Sequence, residues 1–165
     1  MVEVFGIPIM ASSKFENSGK LNHVASIMAE LLDQDGDGCA DDPNVLRNIL
    51  TKQNKFGHVG RPSMILPNPS ATTAQMMAMM KKGFLPGQDL KFGEIKPKCS
   101  GLHGTAKPSC IDASIEEVLH FITSNGQSKA YSNIFGVSWE APSNLTKAMD
   151  IARYFFGFKF LYQQL

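Results

Sequence analysis

No apolar run in the 165-residue chain approaches the roughly 20 residues that span a bilayer, so no membrane partner is expected. A basic leader is also missing. The opening Met-Val-Glu-Val-Phe-Gly-Ile-Pro-Ile is interrupted by Glu3, Gly6 and Pro8 and does not read as a signal peptide. The chain is expected in the cytoplasm, or outside the cell if a leader precedes this N-terminus. Excess charge of one sign is absent too: Lys+Arg 16 stand against Asp+Glu 15, a net charge of +1. That balance removes the global electrostatic case for nucleic acid or anionic lipid. The sequence contains no Gly-x-Gly-x-x-Gly, Walker loop, Cys-x-x-Cys pair or Gly-x-Ser-x-Gly elbow, so nucleotide cofactors and serine-hydrolase chemistry have no support. Cysteine is scarce. Cys99 and Cys110 bracket a loop containing Gly101, Gly104 and Pro108. Either they form a disulfide and leave Cys39 unpaired, or all three are free thiols in a reducing compartment.

Hydrophobic residues make up 43% of the chain, enough for a core. Without repeats or low-complexity tracts, residues 1–165 are expected to form a single α+β domain, a small mixed sheet with about five helices. Residues 2–11 read as one buried strand, and 62–67 and 90–95 as further strands. Residues 21–32 form an amphipathic helix, with Leu21, Val24, Ala25, Met28, Leu31 and Leu32 inward and His23 on the polar face. Asp42-Pro43 supplies an N-cap and first-turn proline for a helix to about residue 52. A Met-rich helix holding Met76, Met77, Met79 and Met80 is ended by Gly83 and Pro86-Gly87. A helix over 113–123, with Ile115, Val118, Leu119 and Ile122 inward, is stopped by Asn125-Gly126, and a last helix starts near Ser143.

The segment between the first two helices, Asp33-Gln-Asp-Gly-Asp-Gly-Cys-Ala-Asp-Asp, holds the densest acid in the chain, with Glu30 just before it. Three carboxylates at i, i+2 and i+4 repel one another unless a cation lies between them. Calcium, a hard cation that takes roughly six to eight oxygens, suits such a set. Asp33, Asp35 and Asp37 supply alternate side chains, Gly38 the sharp bend, Cys39 a backbone carbonyl and Asp41 a further carboxylate, with Asp42 or Asn44 closing the shell. This pattern resembles the first nine positions of an EF-hand loop, and residues 21–52 resemble its helix-loop-helix. Asn44 stands where an EF-hand carries a bidentate Glu, and Ala40 where it carries a β-branched residue. The loop is therefore also similar to the Asp-rich loops of thrombospondin type 3 repeats and dockerins. Loss of the bidentate ligand implies weaker Ca2+ binding and a structural role rather than a switch.

A second constellation is Glu116-Glu117-Val118-Leu119-His120. Residues four apart share a helix face, so Glu116 and His120 would hold one metal, with Glu117 placed as a general base. The segment resembles the His-Glu-x-x-His helix of the zincin metallopeptidases, with Glu116 in place of the first His. That resemblance implies Zn2+ on Glu116 and His120, catalysis by Glu117 and a zincin-like fold. His103, Asp112 and Asp150 are candidates for the third ligand. Two functions are thus expected from residues alone: a calcium-binding protein, or a zincin-like metalloprotein acting on peptides or retaining only the site.

Overall fold

The structure, a computed structural model, describes residues 1–51, 60–66, 78, 81–99, 111–136 and 143–156. The Met-rich helix, His58, His103, Cys110 and Trp139 lie largely or wholly outside these residues.

The N-terminal apolar segment is a hairpin rather than one strand. Phe5 and Gly6 take φ of 48° and 79°, the left-handed pair that a tight two-residue turn requires. The turn folds β1 (Val2–Val4) antiparallel onto β2 (Ile7–Ala11), with Glu3 opposite Pro8. β3 (Arg61–Leu66) and β4 (Phe84–Asp89) extend the sheet in parallel, giving the order β1-β2-β3-β4 among the described residues. The mixed sheet and its helices make an α+β fold. Pro86-Gly87 does not end a helix here; it lies within β4, and the expected strand at 90–95 is absent. The register between β3 and β4 shifts at Ser63/Met64. Gly87 is required at this irregularity because a Cβ there would lie 2.6 Å from a ring carbon of Phe121.

Parallel strands need a crossover, and the one from β2 to β3 contains α1 (Lys20–Leu32) and α2 (Pro43–Leu50). Val24, Ile27, Met28 and Leu32 of α1 are buried, as are Val45 and Ile49 of α2. They join Ile7, Ile9, Met64 and Leu66 from the sheet in one core. Fully burying side chains of this size contributes about 1.5–3 kcal/mol each.

α3 (Ser114–Ile122) packs between α1 and β4. Its inner face is Val118, Phe121 and Ile122, whereas Ile115 and Leu119 are 37% and 41% exposed. The inner arc is therefore rotated from the expected one, because Phe121 lies on the Gly87 backbone. Asn125-Gly126 does not stop the helix either. The chain continues through a widened turn, Thr123–Gln127, and one further turn, Ser128–Ala130. Asn125 donates its side-chain amide to Phe121 O at 2.8 Å, inside the core. A Cβ on Gly126 would lie 2.6 Å from Val45 Cγ1 and 2.9 Å from Ile49 Cγ1, so glycine is what lets α2 reach this turn. α4 (Ser132–Phe135) and α5 (Asn144–Phe156) follow. α5 is capped by Ser143, whose hydroxyl accepts from Thr146 N.

Candidate metal centre

Asp33 sits where α1 ends. Its own amide donates to Ala29 O at 2.9 Å, and its carboxylate gathers the turn that follows. Oδ1 accepts from Gly36 N and Asp37 N at 2.9 and 3.1 Å, and Oδ2 from Gly38 N at 2.9 Å. Asp35 Oδ1 accepts from Asp37 N at 3.2 Å and Asp37 Oδ1 from Cys39 N at 2.7 Å. Asp side chains favour such local turns. Gly38 takes φ of 86°, the bend its place in the loop requires, and Gly36 takes 72°.

The outcome is convergence. One carboxylate oxygen from each of Asp33, Asp35 and Asp37 lies within 4.8 Å of the other two. Asp35 and Asp37 are exposed and Asp33 is half-buried, so the mouth of the cluster opens to water. These three acids could hold a metal ion.

The other expected ligands stand around the cluster in distinct ways. Asp41 turns back on the loop: its Oδ2 accepts from Gln34 N at 2.9 Å, and its amide donates to Leu32 O. It closes the turn from the far side. Cys39 is an exposed free thiol. Asn44 is exposed in the first turn of α2. Asp42 is fully used by the protein. Its Oδ1 accepts from Asn44 N and Val45 N at 2.9 and 3.1 Å, and its Oδ2 from Tyr131 Oη at 2.8 Å. Burial pushes the Asp42 carboxyl up, but the bonds from Val45, Tyr131 and Asn44 outweigh it and hold it below the ordinary value of 3.8.

The helix pair flanking the loop is anchored at both sides. α1 is tied to the approach of α3 by His23, whose Nε2 lies 2.6 Å from Asp112 Oδ2. His23 is therefore not a surface residue, its side chain being 14% exposed and that of Asp112 1%. Asp112 Oδ1 also accepts from Lys96 N, Ser114 N and Ser114 Oγ at 3.0, 3.2 and 2.7 Å. Burial raises this carboxyl too, yet Lys96, Ser114 and His23 together hold it below 3.8. α2 is tied by Tyr131 and by the Gly126 contact. Sequence reasoning missed both tethers; each joins residues 89 positions apart.

On α3, Glu117 and His120 approach each other, with Oε2 to Nδ1 at 3.8 Å, and Gln88 Nε2 donates to the same carboxylate oxygen. Glu116 and His120 are exposed. Among the described residues, no third His, Cys, Asp or Glu joins them in a metal-holding group. Asp112 is committed to His23, and Asp150 is exposed on α5. Cys99 is disulfide-bonded.

Comparisons with protein-family models, with curated proteins and with solved structures find no match to this chain, and the site stands on its own geometry.

Proposed function

We propose that this protein binds one calcium ion in the loop between α1 and α2, and that the ion stabilises the fold rather than switching it. The observation that carries this reading is the convergence of the Asp33, Asp35 and Asp37 carboxylates within 4.8 Å. Hard oxygen donors without nitrogen or sulfur side chains favour Ca2+ over zinc or copper. The Cys39 carbonyl, Asp41, Asn44 and water would complete the shell. The structural role is supported by the two tethers. α1 is held through His23–Asp112 and α2 through Asp42–Tyr131, so the helices have little freedom to change their angle when an ion arrives. An exposed site lacking the bidentate Glu belongs at the weak end of the range, where extracellular modules work, and a disulfide at Cys99 fits an oxidising compartment.

Melting curves in chelator and in rising calcium test this. The midpoint rises by about 5–10 °C at a hundredfold excess over the dissociation constant. Asp33→Asn/Asp37→Asn abolishes the shift. A midpoint that stays unmoved up to that hundredfold excess, roughly 100 mM calcium for a site at the weak end, contradicts the reading. Metal analysis of the purified protein runs alongside, with stoichiometric zinc that disappears in His120→Ala as the result that would favour the zincin-like alternative and Glu117 as its base.

A further inference from the structure

Phe92 gathers two ammonium groups that have no carboxylate partner among the described residues. Lys20 Nζ lies 3.8 Å and Lys14 Nζ 4.9 Å from the centroid of its ring, and Lys20 Nζ also donates to Phe92 O at 2.6 Å. The ring is itself held edge-on by Phe15, with centroids 5.1 Å apart. From Phe92 the chain runs along the first turns of α1. Lys96 N donates to the Asp112 carboxylate that also holds His23, one turn beyond Lys20. Lys96 and Lys98 are exposed on this strap. Among the described residues Lys14, Lys20, Lys96 and Lys98 make no ion pair, while Lys91 is answered by Glu94 at 3.8 Å. Glu16 is the remaining acid in these two segments. The Phe92 ring and carbonyl hold these ammoniums, but like charges are gathered rather than spread, and Lys20 stands in the opening turn of α1, where the helix dipole favours an acid.

We infer that Lys14, Lys20, Lys96 and Lys98 form a docking surface for a sulfated polysaccharide. An aromatic face attracts cations, so Phe92 holds two like charges in place for anionic groups spaced along a chain. The choice of polyanion follows from two observations. Cys99, at the end of the strap, is disulfide-bonded, which fits an oxidising compartment better than one holding cytoplasmic nucleic acid or the anionic cytoplasmic leaflet. A lysine surface also holds a membrane at only about 1 kcal/mol per residue, and no large hydrophobic side chain in residues 13–20 or 91–99 stands exposed to insert into one.

The test uses the full chain, a heparin oligosaccharide and vesicles of phosphatidylserine mixed with phosphatidylcholine. Binding to heparin is expected at low salt and should weaken linearly on a log–log plot against salt concentration. Lys96→Gln/Lys98→Gln, which leaves the Phe92 packing untouched, weakens it at least about threefold. Adding Lys14→Gln and Lys20→Gln weakens it at least about tenfold and flattens the salt slope. Lys129→Gln/Lys147→Gln, an equal charge change on exposed helical positions elsewhere, leaves it unchanged. Equal losses in the control, no heparin binding at low salt, or tighter binding to the vesicles than to heparin overturns the proposal. Binding persists in chelator and in Asp33→Asn/Asp37→Asn, so failure here and failure of the calcium reading are separate results.

Discussion

Asp112 is the acid on which most of the local hydrogen bonding depends. Its side chain is almost fully enclosed and receives donors from α1, from the strap at Lys96 and from α3. Its folded-state pKa lies below the ordinary 3.8, so the unfolded chain binds the proton more readily. The stability this supplies is present above the unfolded value and is lost as pH falls through the folded one. Asp112→Asn is expected to cost about 2–4 kcal/mol at neutral pH, as the donors around it lose a charged acceptor. It should also flatten the fall in stability on acidification below 3.8, both read by urea unfolding across pH. Tyr131→Phe removes one donor to Asp42 and should cost about 1 kcal/mol in the same assay. None of this was legible in the sequence. His23 falls on the polar arc of α1, and periodicity assigns such a residue to solvent; only the tertiary fold brings Asp112 to it. The alternating acids at 33, 35 and 37 were legible, because their neighbours in sequence are also their neighbours in space.

At the scale of elements, short-range signals located the helices well and their ends less well. α1 and α2 began within a residue of expectation because Asp42-Pro43 and the apolar face are local. Phe5-Gly6 breaks a stretch whose apolar run reads as continuous, because its left-handed turn has no composition signal beyond one glycine. Pro86-Gly87 and Asn125-Gly126 are the reverse: pairs that ordinarily end structure lie within it, where each glycine permits a close approach. Gly126→Ala tests this. Alanine is the better helix former by about 1 kcal/mol, yet its methyl would meet Val45 and Ile49, atoms close to the backbone that cannot swing aside. A net loss of about 1–3 kcal/mol in denaturant unfolding is expected; a gain would mean that α2 does not sit as close as described. α1 also carries its charges against its dipole, with no acid in its first turn, no base in its last, and Asp33 at its C-terminal end. A cation in the loop would relieve that conflict.

For the whole molecule, composition and element order were enough for the α+β class, since alternating strands and helices leave few other layer architectures. They could not give the strand order, because parallel pairing joins segments with no local signature of each other. Net charge misled in a similar way. A total of +1 hides an acidic loop at one end of α1 and unpaired lysines at the other. Both proposed sites are products of that separation, and both depend on the shared body of α1, α3 and the sheet that holds the two ends apart. Calorimetric titration of calcium into chelator-stripped protein is the most direct test of the calcium site. Such a site predicts one ion per chain, a dissociation constant between about 0.1 and 1 mM, and no heat of binding in Asp33→Asn/Asp37→Asn. A flat titration with the unaltered chain, or the same isotherm in that variant, would contradict it.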